Sequence, residues 1–190
     1  MSNWDDFVSE CSQCKKCGLH ANRKNVVIGR GLNKPAPILF VGEGPGEQED
    51  IQGEAFVGRA GKLLDLLLDA LEFKAEDYYI ANVVKCRPPE NRIPTKDEVE
   101  ACMPWLRYQF SVIKPSIVVC LGATAAKAII DNDVKITKIR GNWIDKQGKI
   151  LIMPTYHPAA ILRDIRKRED FYLDIKKVRE KLFHMNSGTN

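Results

Sequence analysis

Ile38-Leu39-Phe40-Val41-Gly42-Glu43-Gly44-Pro45-Gly46 decides the fold of this 190-residue chain. Four consecutive apolar residues ending at a glycine read as a short strand buried on both faces. The glycine- and proline-rich turn behind it is where such a strand hands over to a helix. Leu63, Leu64, Leu67, Leu68 and Leu71 then recur at helical spacing on one side. The alternation continues along the chain. Residues 78–84 read as a second strand. Lys96–Ile113 reads as an amphipathic helix with Thr95 as N-cap, Glu98 three residues on as a capping box, and Pro115 ending it. Ile117–Leu121 is a third strand closed by Gly122, followed by a short helix over 123–130. Residues 150–153 form a fourth strand closed by Pro154, and 170–183 a last helix. Strands interleaved with helices predict an α/β fold. The expected form is a three-layer α/β/α sandwich around a central, mainly parallel four-stranded sheet. Residues 1–190 are expected to make one domain, with its core over about 10–183 and a frayed tail at 184–190.

In such sheets ligands bind beyond the carboxyl ends of the strands. Glu43 lies just past the first strand, Asn82 in the later half of the second, and His157 just past the fourth. A carboxylate, an amide and an imidazole are thus expected at one edge of the sheet, which points to a site. Each also has a plainer reading. The Gly42–Gly46 turn lacks the Lys-Ser/Thr of a P-loop and misses the dinucleotide-binding glycine spacing, so a tight turn suffices for its glycines. A lone histidine is usually structural or merely exposed. Phe56, in the glycine-rich stretch 53–61, is either a lid over the core or a platform on which a base stacks.

Six cysteines in a chain whose start, Met1-Ser2-Asn3-Trp4-Asp5-Asp6, is acidic rather than a secretory signal are poor candidates for disulfides. Grouped cysteines in a reducing compartment more often bind metal. Cys14-x2-Cys17 is followed by the single cysteines Cys86 and Cys102. Four thiolates suit either a 4Fe–4S cluster or a tetrahedral zinc, and spacing alone leaves both open. Cys120, inside an apolar strand, reads as core packing. Cys11 reads as a spare surface or helix thiol. No stretch approaches the roughly 18 apolar residues of a membrane span, so a cytoplasmic location is expected. The formal net charge of +4 is compatible with DNA without establishing it. Four basic residues fall within 161–168, either a solvated helix face or a DNA-facing one.

Together these pieces resemble the family 4, iron–sulfur uracil-DNA glycosylases. The resemblance is carried by Cys14-x2-Cys17, the run from Gly42 to Asp50, Ala55-Phe56-Val57-Gly58-Arg59-Ala60-Gly61, the run from Asn82 through Cys86-Arg87-Pro88-Pro89 to Arg92, Ile136-Thr137-Lys138-Ile139-Arg140-Gly141, and Thr155-Tyr156-His157-Pro158-Ala159. It implies a monomeric hydrolase that flips uracil out of single- or double-stranded DNA and leaves an abasic site, starting base excision repair. It implies that Cys14, Cys17, Cys86 and Cys102 hold a structural 4Fe–4S cluster, with Cys11 left over. It further implies that Gly42, Glu43, Gly44, Glu49, Phe56, Asn82 and His157 surround the base. Phe56 would stack on uracil, Asn82 read its edge, His157 donate to its O2, Glu43 position water, and Glu49 stand near C5 to exclude thymine. Leu162 would fill the vacated stack and Arg163 hold phosphate. Gly44 stands where many members carry alanine. Glu90–Lys96 lacks the histidine-containing insertion of the branch that attaches covalently to DNA, so a turnover enzyme is expected. The rivals are the same fold acting on hypoxanthine or xanthine, and an iron–sulfur or zinc DNA-binding, redox-sensing protein without glycosylase activity.

Overall fold

The structure, a computed structural model, describes residues 3–146, 148 and 150–187. In chain order its elements are α1 (Trp4–Ser12), β1 (Arg30–Gly31), β2 (Ile38–Gly42), α2 (Glu47–Gln52), α3 (Arg59–Ala70), β3 (Tyr78–Asn82), α4 (Lys96–Ile113), β4 (Ile117–Leu121), α5 (Ala123–Ile129), α6 (Ile136–Ile139), β5 (Ile144–Lys146), β6 (Ile150–Thr155), α7 (Pro158–Arg163) and α8 (Arg168–Ser187). The sheet order is β1-β3-β2-β4-β6-β5. The four central strands are parallel and are the four expected from the apolar runs. The sheet has six strands rather than four. β1 and β5 add antiparallel edges of two and three residues, too short to show periodicity.

β2 and β4 are buried at every position, and alternate residues feed two cores. Leu39, Val41, Val118 and Cys120 face α1, α4 and α5. Ile38, Phe40, Ile117 and Val119 face the Leu64 and Leu68 side of α3 and the Phe171, Ile175 and Val178 side of α8. This is the three-layer sandwich. Cys120 is core packing, as expected.

α4 starts where the capping box predicts. The Glu98 amide donates to Thr95 Oγ1 at 3.3 Å and the Thr95 amide to Glu98 Oε2 at 2.8 Å. Lys114, in the left-handed region, ends the helix. Pro154 does not close the fourth strand. It lies inside β6, in register with Cys120. Its carbonyl accepts from the Gly141 amide, away from β4, and β5 pairs only as far as Ile152, so no ladder bond needs the missing N–H. α8 begins two residues before the expected 170 and continues through Ser187. The frayed tail expected from 184 is therefore helical over 184–187, and 188–190 lie outside the described residues.

Candidate active site

The chain crosses from β3 to β4 over the central strand β2, so the sheet has a switch point there and a crevice opens between the carboxyl ends. A cleft of about 500 Å³ occupies it. Glu43 enters from just past the end of β2, Asn82 from β3, Thr124 from the first turn of α5 and His157 from the N-cap of α7, just past β6. The three polar groups expected at one edge therefore do meet, with Phe56, Gly44 and Glu49 also in the wall.

Asn82 is 2 % exposed, and its Oδ1 is a buried acceptor with no hydrogen-bond donor. An unpaired buried acceptor of this kind costs about 1–3 kcal/mol. Gly42 lies beneath it. A Cβ there would stand 2.4 Å from Asn82 Oδ1 and 2.6 Å from Phe56 Cζ, so only glycine lets the amide and the ring close over the strand. Phe56 holds a left-handed backbone, φ 57°, and its ring centroid is 5.6 Å from that of His157. A Cβ at Gly61 would overlap the Phe56 carbonyl, which explains the glycine in the first turn of α3.

His157 caps α7, and its Nδ1 accepts from the Ala159 amide at 3.1 Å. That bond leaves Nε2 as the protonated nitrogen of the neutral ring. Burial, with the Arg163 charge nearby, pulls the imidazole down to about 4, so at neutral pH it is an uncharged donor. Behind it, Thr155 donates to the fully buried Asp174 at 2.7 Å, and Arg140 grips both oxygens of the same carboxylate. This clamp ties the end of β6 to α8.

Thr124 donates a short hydrogen bond to Glu43 Oε2. The sequence reading missed Thr124, although Gly122-Ala123-Thr124 follows a strand at the same sheet edge. Glu49, in the cleft wall, also holds that wall together. Its Oε1 accepts from the Gly58 amide at 2.8 Å and its Oε2 from the Gly46 amide at 3.1 Å. It staples the turn after β2 to the Phe56 loop. Arg163 lines the cleft. Leu162 stands outside the lining, 45 % exposed.

On the far side of β3, Cys11, Cys14, Cys17, Cys86 and Cys102 surround a second, small cavity. Of the two readings of Cys11, a surface or a helix thiol, the structure gives the second: it lies in α1 and is fully buried. Trp105 Nε1 donates to Cys14 Sγ at 3.4 Å, an Arg23 nitrogen to Cys86 Sγ at 3.2 Å and the Lys85 amide to Cys102 Sγ at 3.3 Å. Burial pushes the Cys102 thiol up to about 11 against the pull of Lys85, so a bound cation is what would keep it a thiolate at neutral pH. Among the described residues no three His, Cys, Asp or Glu side chains are grouped as the ligands of a single ion. No described helix is long and apolar enough to cross a membrane.

A family profile for the Uracil DNA glycosylase superfamily matches residues 30–181. The chain is 52% identical over 161 residues to a Type-4 uracil-DNA glycosylase of Thermotoga maritima, covering 84% of this chain and 83% of the relative. It is 44% identical over 187 residues to a Type-4 uracil-DNA glycosylase of Archaeoglobus fulgidus, covering 95% and 94%. A third relative of that name, from Sulfurisphaera tokodaii, is 45% identical over 188 residues, 95% of this chain and 85% of the relative. A cleft at the switch point, walled by Glu43, Asn82 and His157, thus sits in a chain that matches these proteins almost end to end: it belongs to the uracil-DNA glycosylase superfamily and, within it, to the type-4 branch.

Proposed function

We propose that this protein hydrolyses the bond between uracil and deoxyribose in DNA and leaves an abasic site. The unpaired Asn82 Oδ1 carries the assignment of the site. The buried acceptor calls for a ligand with a donor at that point, and uracil offers N3–H. The amide nitrogen would donate to O4. Cytosine has an acceptor at N3 and a donor at the exocyclic position, so both contacts would set like against like. Extruding the base from a duplex costs a few kcal/mol, and stacking on Phe56 offsets part of it at roughly 1–3 kcal/mol.

As the N-glycosidic bond breaks, the electron pair passes into the base and negative charge gathers on O2. Neutral His157 donates Nε2–H to that oxygen. The contact strengthens with the charge, so it stabilises the transition state more than the ground state, by roughly 3 kcal/mol. Thr124 fixes one oxygen of Glu43, and the other positions the water that adds to the sugar carbon; the proton this water loses ends on the departing uracil anion. Glu49 acts through its two backbone bonds. It sets the wall beside Phe56, so exclusion of a thymine methyl follows from the shape of that wall. Gly44 brings bare backbone to the base, Gly42 supports it from beneath by letting the Asn82 amide and the Phe56 ring close over β2, Arg163 holds phosphate at the rim, and exposed Leu162 enters the stack that the base leaves.

Cys14, Cys17, Cys86 and Cys102 hold a 4Fe–4S cluster in this reading. Support comes from the N–H donors aimed at three of the sulfurs. A cubane is held at its corners, so its thiolates need not converge as the ligands of one zinc would. When bound, the cluster staples three chain segments and takes no part in the hydrolysis.

The test is excision from a single-uracil oligonucleotide, single- and double-stranded, by the natural protein, Asn82→Ala and His157→Ala. The expected loss is about 10²–10³-fold in kcat for His157→Ala. Asn82→Ala is expected to lose selectivity for uracil over cytosine. DNA binding without abasic product would instead mark a binding protein, and undiminished excision by both variants would refute the site.

A further inference from the structure

Lys85 is 1 % exposed, in the wall of the cysteine cavity. Lysine is almost never buried this fully without a partner, because desolvation disfavours the ammonium. Its Nζ donates to the Asn82 carbonyl at 2.7 Å and to Gln109 Oε1. Both acceptors are neutral. Gln109 is fixed in turn, with its Nε2 donating to the Ile28 carbonyl at 2.7 Å. The titratable groups that face Lys85 are the thiols of Cys102, Cys11 and Cys86, which carry negative charge only as thiolates. The Lys85 amide meanwhile donates to Cys102 Sγ. One residue therefore touches the cysteine cavity with its backbone and charge, and the last residue of β3 with its Nζ. On the other side of that strand end, the Asn82 carboxamide faces the base cleft.

We propose that Lys85 is the buried counter-charge of a thiolate-bound iron–sulfur cluster and the positioning residue that makes base reading by Asn82 depend on that cluster. The inference rests on the cluster reading given above. Four thiolates around a cubane carry net negative charge, which supplies the partner that the ammonium lacks. The attraction seats Nζ against the sulfurs, and its hydrogen bond then holds the Asn82 carbonyl. The carboxamide of the same residue, three bonds away, is thereby kept in register with Phe56 and His157. Lys85 touches neither the base nor the water.

The experiment compares holoprotein of natural sequence with Lys85→Met, which removes charge and donor at similar length, and Lys85→Arg, which keeps both. Iron per chain and absorption near 400 nm are read first. A colourless or zinc-containing natural protein ends the cluster reading itself. With a cluster present, Lys85→Met is expected to bleach in air with chelator at least about tenfold faster than the natural protein, and Lys85→Arg to stay much nearer to it. Lys85→Met is also expected to lose about tenfold in kcat and in uracil-over-cytosine selectivity, with KM for DNA little changed. A purely structural role for Lys85 gives no such split. If Lys85→Met yields no soluble holoprotein while Lys85→Arg does, the counter-charge role stands. If the two variants behave alike in iron content and bleaching, folded or not, it is overturned while the cluster reading survives. Natural kcat and selectivity in Lys85→Met overturn the link to Asn82.

Discussion

His157 works as an uncharged donor because its environment keeps it so. The unfolded imidazole titrates near 6.5 and the folded one near 4. Between those values the unfolded chain binds more protons than the folded one, so stability is full above about pH 6.5 and is lost as pH falls towards about 4. The slope from this group is at most about 1.4 kcal/mol per pH unit. Denaturant midpoints at pH 7 and pH 4.5 should therefore differ less in His157→Asn than in the natural protein. Equal differences would remove His157 from the account. At the same scale, Thr124 shows what the sequence concealed. A threonine in a short Ala-rich helix carries no signal, and only the geometry joins it to Glu43. Asn82 was legible because a polar residue at the end of a buried strand needs a reason. That its oxygen stands unpaired was not.

The end of β6, α6 and α8 form one mechanical unit behind the histidine. Asp174 is fully buried and takes both Arg140 and Thr155, while Gly141 comes so near that a Cβ would lie 2.4 Å from its Oδ1. The run Ile136–Gly141, noted only as a family resemblance, is thereby explained. It brings Arg140 to the carboxylate and a bare backbone past it. Removing one partner of a buried ion pair typically costs about 3–5 kcal/mol. Asp174→Ala should lose stability of that order in urea titrations, and what remains folded should lose kcat because Thr155 no longer fixes the strand before His157. A stability change below about 1 kcal/mol would show that the clamp is ornamental. The capping box of α4 was readable because its signal is local, two residues three apart. β1 and β5 were not, since edge strands of two or three residues are defined by their neighbours rather than by their own composition. Pro154 misled for the same reason: whether a proline stops a strand depends on whether a neighbour needs its nitrogen.

At the scale of the molecule, four parallel strands and two apolar layers could be read because strands covered on both faces are written as unbroken apolar runs. That Cys14, Cys17, Cys86 and Cys102 belong together was legible from the grouping of cysteines, and they do line one cavity. The burial of Cys11 beside them and the role of Lys85 depend on how α1 and α4 pack over β3. If the cysteine cavity staples α1, the segment after β3 and α4, stripping iron from the protein should lower its melting temperature by more than about 5 °C, equivalent to roughly 2 kcal/mol at this size. An unchanged melting curve after complete iron loss would show that those segments hold without it. The two cavities also differ in when they become possible. The cysteine wall is complete in the chain once Trp105 has left the ribosome, whereas the base cleft waits for His157, at the start of a helix not yet synthesised. A cluster held by those cysteines would thus have its whole ligand set in the emerging chain before the residue that completes the base cleft is made, so competence to cut a glycosidic bond arrives only with the last third of the chain.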